Sequence, residues 1–344
     1  MRQYLIPENG NFYKANLHVH TTVSDGRMTP EEVKKIYKDN GYSVLAITDH
    51  QIMLPHPELD DEDFITITSV EVAKNMGDYN FLPSTHFNVY AKDQKAEVFP
   101  FFDPEGFWRA IKHTMDYRTE TMINYEAKHF GYGPEELNRV IAECNKQGFL
   151  VCFNHPKGSL QNYRDYGGLK GLWGMECYNT GAAQEGYEDD MDPIDDLLTE
   201  GQRKVFPIAS DDAHGEGSCC GGWVMIKAEA LEYSKIMEAL EVGDFYASTG
   251  IEIKELYIDN GILHIETDGV DEIVLHTPIR YRKTINSKDG EPITVWDCDI
   301  TDLIADCRKK YDTLAKDTYF RLDLRTKDGK RAHTRAFFLD QIKD

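Results

Sequence analysis

The chain is punctuated by short β-like runs that end in, or begin with, an imidazole or a carboxylate. This pattern favours folds that gather strand ends at one place. The first run closes in Asn16-Leu17-His18-Val19-His20; the run 42–48 is followed by Asp49 and His50, and the run 64–70 by Glu71. His86 precedes the stretch 87–90, His155 follows 148–154, and Asp212 and His214 follow 204–210. Side chains alternate faces along a strand, so His18 and His20 can aim both rings at one point. Neutral imidazole is a common ligand for Zn, Fe and Mn. A lone His-x-His is ordinarily a packed or solvated pair, but chance hardly places the whole set. Most of these residues stand just after a run, where parallel α/β barrels collect their functional groups.

Between the runs the chain reads as helix. Thr29 is a good N-cap, Pro30 suits the first helical position and Glu32 completes a capping box. Val33, Ile36 and Tyr37 give the apolar face of a helix that should stop near Gly41. This rhythm predicts an α/β fold with parallel strands and helical crossovers. Residues from about 103 to 147 read as helical, with start signals at Asp103-Pro104-Glu105 and Gly133-Pro134-Glu135. The part at about 101–134 is expected either as a helical insertion over the pocket mouth or as an ordinary crossover. His113 and His129, isolated there, are left out of the site. From Ile251 short alternating stretches recur, and Asn260-Gly261 and Asp328-Gly329 are hairpin signals. Residues 1–250 and 251–344 are therefore expected as two domains, the second a small antiparallel β domain of sandwich type.

Apolar residues make up 41% and charged residues 28% of the 344, as in folded soluble proteins. No run is long and apolar enough for a membrane span, and the N-terminus lacks the stretch of a secretory signal. Seven cysteines, with Cys219 and Cys220 adjacent, form no even framework, so a reduced cytoplasmic setting is expected. The net charge of -22 argues against broad duplex nucleic-acid binding. It leaves room for a small anionic substrate, because cations in a pocket reverse the local field. The acidic run 185–192 reads as a solvated loop, since it lacks the spacing of a calcium loop. Nothing in the sequence speaks to oligomeric state.

The ordered set resembles the PHP (polymerase and histidinol phosphatase) superfamily of metal-dependent phosphoesterases. The matching motifs are His18-Val19-His20 with Ser24-Asp25-Gly26, Thr48-Asp49-His50, Glu71, His86, Asn154-His155-Pro156 and Asp212-Ala213-His214. They span about residues 12–250. Within the superfamily the chain resembles the TrpH-like phosphoesterases and the CehA/McbA-like hydrolases, and the latter can carry a β-rich C-terminal portion. The resemblance implies a distorted (β/α)7 barrel with two or three divalent metal ions at its C-terminal mouth. It implies His18, His20 and Asp212 on a first ion and Glu71 bridging to a second, which His86 and His155 complete. Asp25, His50 and His214 would hold a third. One departure is the doubled acid Asp211-Asp212: the spacing favours Asp212 as ligand, with Asp211 orienting a ligand or taking its place. Asp49 is expected to fix an imidazole tautomer from behind.

A multinuclear site of this kind suits hydrolysis, because cations acidify water and stabilise developing charge. His50 or His214 is a candidate general acid if not fully occupied by metal. Lys157 and Arg27 are candidate phosphate contacts, each more often a plain surface charge. A mixed N and O ligand set favours Mn, Fe or Zn over a thiolate zinc site or a pure Mg site. Cys152 and Cys177 read as strand core, and Glu176 as a buried polar residue. The function expected is hydrolysis of a small phosphoester, a mono- or diester, with nucleotides among the candidates. The alternatives are a carbamate or carboxylic ester hydrolase on the same metal site, or a metal-stabilised scaffold without turnover.

Overall fold

The structure, a computed structural model, describes residues 2–77, 82–103, 117–188, 190–310 and 317–343, with the side chains of 306–310 excepted. In chain order its strands are β1 (Gln3–Tyr4), β2 (Asn11–Val19), β3 (Val44–Ile47), β4 (Ile65–Asn75), β5 (Ser84–Ala91), β6 (Phe149–Phe153), β7 (Gly174–Asn179), β8 (Phe206–Ser210) and β9 (Trp223–Ala228). There follow β10 (Phe245–Ser248), β11 (Ile253–Asp259), β12 (Ile262–Val270), β13 (Glu272–His276), β14 (Lys283–Asn286), β15 (Ile293–Asp299), β16 (Tyr319–Arg325), β17 (Arg331–Thr334) and β18 (Phe337–Phe338). The fold is mixed α/β, built on one large sheet of order β14-β13-β16-β17-β10-β9-β2-β3-β4-β5-β6-β7-β8.

Strands β2 to β8 carry the residues of interest. The β3, β6 and β8 strands are buried at every position, as expected of strands covered on both faces. The expected parallel rhythm holds across β2-β3-β4 and β6-β7-β8. It fails at β5, which runs antiparallel to both β4 and β6. The link 76–83 is too short for a helical crossover, so the chain returns as a hairpin. As a result His86, at the start of β5, lies at the same end as the residues that close the parallel strands. The chain leaving β8 is tied to the end of β2: Val19 forms a parallel bridge with Ala213, Asp212 N donates to His18 O at 2.9 Å, and His20 N donates to Ala213 O at 3.0 Å.

The helix Pro30–Asp39 begins with the capping box read from the sequence. Thr29 Oγ1 accepts from Glu32 N, and Glu32 Oε2 accepts from Thr29 N. The helix Pro134–Lys146 buries Leu137, Val140, Ile141 and Cys144, and Gly148 at φ +86 turns the chain into β6. Of the preceding segment only the part after residue 116 can be compared with the helical reading, and there the helix is short. Residues 104–116, including His113, lie outside the described residues, and within 117–133 the one α-helix is the four-residue turn Glu120–Ile123. Gly131 and the Gly133-Pro134 pair disfavour continuing it. His129 is exposed beside Asp103, at 3.4 Å.

A second sheet, β1-β11-β12-β15, faces the β13, β14, β16 and β17 part of the first across one apolar core. Leu256, Leu263 and Ile265 enter it from one side, and Ile273, Leu275, Leu322 and Leu324 from the other. The Asn260-Gly261 hairpin forms as expected, with φ of +51 and +78 joining β11 to β12. Hydrogen bonding crosses residue 250 in both directions: β1 pairs with β11, and β10 with β17. Among the described residues no helix is long and apolar enough to cross a membrane.

Candidate metal centre

Residues at or beyond the ends of β2, β3, β5, β6 and β8, together with Glu71 inside β4, bring together all nine side chains that the sequence singled out as ligands. They form three overlapping groups: His18, His20, Glu71 and Asp212; Glu71, His86 and His155; and His20, Asp25, His50 and His214. In each group one nitrogen or oxygen per residue lies within 4.8 Å of the others. His18 and His20 are fully buried and, as strand alternation requires, their rings share one side, with Nε2 atoms 3.2 Å apart. The outer members are more open: Asp25 is 53% and His214 39% exposed. Glu71 sits inside β4 rather than after it, between the groups. Its Oε1 faces His18, His86 and His155 at 3.4, 3.1 and 3.4 Å, and its Oε2 faces His20 and His50, both at 3.2 Å.

Local backbone explains how the site is reached. Gly26 packs so closely that a Cβ would lie 2.5 Å from the His20 carbonyl, which accounts for the glycine in Ser24-Asp25-Gly26. His155 (φ +22) and Asp212 (φ +51) adopt left-handed backbone, which is uncommon outside glycine and found at functional sites.

The donor set fits divalent cations. His20 Nδ1, His50 Nδ1, His155 Nε2 and Asp212 Oδ1 are buried without a hydrogen-bond partner, and such atoms are costly unless something else satisfies them. Asp212 Oδ1 nonetheless approaches His20 Nε2 to 3.0 Å and His18 Nε2 to 3.2 Å. Two rings are oriented from behind. His214 Nδ1 lies 3.0 Å from the Asp212 carbonyl oxygen, which can only accept, so in the neutral ring Nε2, 3.3 Å from Asp25 Oδ1, is the nitrogen left for a cation. His18 Nδ1 faces a Glu176 oxygen at 2.8 Å, with the same result for its Nε2.

Electrostatics agree with this crowding. Burial alone would lower the His20 and His155 pKa values, but the Asp212 and Glu71 carboxylates outweigh it and raise them to about 10 and about 9. Burial opposes ionisation of Glu71 and Asp212 too, yet the surrounding imidazoles hold both well below the usual carboxylate range. Burial wins at His50, lowering it to about 4.

The companion residues are resolved differently from expectation. Asp211 belongs to none of the converging groups. One oxygen accepts from Asn16 Nδ2, Tyr37 OH and Cys220 N at 2.7, 2.8 and 2.7 Å, and the other from Thr180 Oγ1, Gly221 N and Gly222 N at 2.6, 2.9 and 2.8 Å. Both oxygens are engaged by protein donors. Asp49 does not fix an imidazole; it accepts from Thr21 N and Oγ1 and from Ser24 Oγ, and so shapes the loop leading to Asp25. Lys157 turns its ammonium to Asp190 Oδ2 and Glu188 O, at 2.6 and 2.7 Å. Arg27 is exposed and hydrogen-bonds through its backbone to His214 O.

Two residues gained weight. Glu176, read as merely buried and polar, lies behind His18. Asn154 donates to Glu71 Oε1 at 2.9 Å and to Asn88 Oδ1 at 2.9 Å. The clue was Asn154's place next to His155, before the turn. A further grouping, Glu255, His264 and Glu266, arises from cross-strand pairing of β11 and β12, which the spacing of these residues in sequence conceals.

No family model and no curated protein matches the chain. Among solved structures, an amidohydrolase from Chromobacterium violaceum is similar over 59% of this chain and 88% of its own, at 15% identity and a TM-score of 0.37. The lesion-specific endonuclease from Pyrococcus furiosus is similar over 67% of this chain and 56% of its own, at 13% identity and a TM-score of 0.37. A two-domain protein from Bacteroides vulgatus, containing a predicted PHP-like metal-dependent phosphoesterase, is similar over 97% of this chain and 98% of its own, at 14% identity and a TM-score of 0.42. The chain is thus similar to solved structures that include a PHP-like metal-dependent phosphoesterase.

Proposed function

We propose that this chain is a PHP-type hydrolase of small phosphoesters, working with two or three divalent ions, Mn, Fe or Zn. In this reading β2 to β8 form the distorted barrel, closed by the Val19–Ala213 bridge, and residues 251–344 form a second, β-rich domain. The observation that carries the proposal is the convergence of nine imidazole and carboxylate side chains, several of whose converging atoms are buried without a hydrogen bond. His18, His20 and Asp212 would hold one ion, Glu71, His86 and His155 a second, and Asp25, His50 and His214 a third.

Bound cations would supply Lewis acidity, polarising a phosphoryl oxygen and making water a nucleophile at neutral pH. The chain's own residues do the rest. The Asp212 carbonyl favours a proton on His214 Nδ1, so in the neutral ring Nε2 is the nitrogen that would be free for a cation beside Asp25. A cleft of about 410 Å³ opens beside the centre, lined by His155, Asp212, His214, Gly181, Gln184 and Ser218. It would take the substrate's leaving group. Its glycine walls let backbone approach closely.

The test is turnover by the metal-loaded protein of an aryl phosphomonoester, an aryl phosphodiester and an aryl carbamate, in parallel. Hydrolysis of one of the phosphoesters, lost in chelator and restored by metal, is expected. Turnover of the carbamate alone would replace the proposal with the ester-hydrolase reading, and no turnover in any metal form would favour a scaffold.

A further inference from the structure

The Glu176 side chain on β7 is buried, 1% exposed, and its partners are unusual in kind. Oε1 faces His18 Nδ1 at 2.8 Å and accepts from Ser210 Oγ; Oε2 accepts from His155 N at 2.7 Å and from Asn179 Nδ2 at 2.9 Å. Four donors surround one carboxylate. His18, Glu176 and His155 also present ligand atoms within 4.8 Å of one another. A cation there would have to displace those donors, so Glu176 is better placed to orient than to ligate.

Its two oxygens act on different members of the centre. Through Oε1 it keeps a proton on His18 Nδ1, which leaves Nε2 to face His20, Glu71 and Asp212. Through Oε2 it holds the amide of His155, whose backbone is in left-handed geometry at φ +22. Ser159 Oγ, 2.9 Å from His155 Nδ1, then sets the ring so that Nε2 points to Glu71 and Asp212.

We infer that Glu176 is a positioning residue that couples two cation subsites, selecting the free nitrogen of His18 for one and aiming His155 into the other. This rests on the metal-dependent reading above. The carboxylate is required because every neighbour donates. Glutamine offers one acceptor oxygen and a donor NH2. If the NH2 faces His18, Nδ1 must accept and the proton moves to Nε2, into the centre. If it faces His155, two donors oppose each other. Either placement disturbs a subsite.

The experiment uses the full chain loaded with zinc and carrying 15N-labelled histidine. Long-range 1H–15N correlations are expected to show the His18 proton on Nδ1 and zinc on Nε2 in the wild type. Glu176→Gln is expected to weaken zinc binding about 10–100-fold and to alter the His18 or His155 ring signals. A wild-type spectrum with the His18 proton on Nε2 overturns the inference even if the variant does not fold. Wild-type zinc affinity and unchanged ring signals in the folded variant overturn it as well. A wild type that binds no zinc, manganese or iron overturns the metal-dependent reading and this inference with it, whereas the first two outcomes leave that reading standing.

Discussion

At the end of β2, His18, His20 and His155 are packed against Glu71 and Asp212; on β13, β16 and β17, His276 and His333 are packed against Asp323. The ingredients are alike, but the partnering is not. In the second region Arg321 closes the network. Its Nε and Nη2 grip Asp195 at 2.9 and 2.6 Å, and its Nη1 reaches Asp323. Tyr319 also donates to Asp195, at 2.9 Å. His333 Nδ1 lies 2.6 Å and His276 Nε2 2.8 Å from Asp323. Arg282, which can only donate, lies 2.7 Å from His276 Nδ1, so the proton of that ring is on Nε2, facing the carboxylate. Most donors here point at carboxylate oxygens, although His276 Nε2, close to Asp323, makes no well-formed hydrogen bond. In the first region ring nitrogens and carboxylate oxygens converge on a common space, and among the described residues no arginine enters it. The first region leaves His20 Nδ1, His50 Nδ1, His155 Nε2 and Asp212 Oδ1 without a protein hydrogen bond, whereas in the Arg321 network His276 Nε2 is left so. Residue type does not separate them, whereas what each polar atom faces does.

The sharpest break of this comparison is at the centre itself. His20→Ala and His155→Ala should each cut phosphoester turnover by orders of magnitude while the far-ultraviolet circular dichroism stays native. Full turnover in both would remove the assigned ligands. Next in size is Arg321→Met, which leaves Asp195 and Asp323 facing each other without their cation. It should cost about 3–5 kcal/mol in urea unfolding, with metal content per folded chain unchanged. A metal loss without a stability loss would mean the two regions have been told apart wrongly.

Asp211→Asn should be milder. An amide cannot accept from six donors, so a loss of about 1–3 kcal/mol is expected, with the same number of ions bound. Loss of an ion at unchanged stability would return Asp211 to the ligand set. Acid titration sharpens the contrast further. Burial would raise the Asp323 pKa, but His276, His333 and Arg321 outweigh it and hold it well below the usual range. A carboxylate lower in the folded than in the unfolded state stabilises above its unfolded value, about 4, and that stability is lost as pH falls below it. The urea midpoint should therefore drop more steeply below pH 4 in the wild type than in Asp323→Asn, and parallel curves would contradict this. The smallest effect belongs to Lys157→Ala. Its pair with Asp190 is substantially exposed, so stability should change by less than about 1 kcal/mol, and kcat/KM should stay near wild type. A large rise in KM would restore Lys157 as a substrate contact.

Much of the site was legible because strand periodicity is local. His18 and His20 had to share a side, and the capping box at Thr29 and the hairpin at Asn260-Gly261 depend on a few consecutive residues. Other features were not legible for an equally physical reason. The direction of β5 depended on a link too short for a crossover, within a stretch whose alternation looks like any other strand. The split roles of Asp211 and Asp212 depended on a left-handed residue that turns two adjacent carboxylates to opposite surroundings. Glu176 looked like ordinary strand polarity until β2, β6 and β8 came to lie around it.

By itself the sequence determined which residues carry ligand chemistry, where strands end and that strands alternate with helices in the first part, since these follow from side-chain type and local backbone preference. Only the tertiary structure decided which lone pairs meet, which carboxylate is spent on backbone amides, and which histidines are satisfied by an arginine-centred network. Those outcomes depend on groups far apart in the chain competing for the same protons, and no spacing along the sequence encodes who wins.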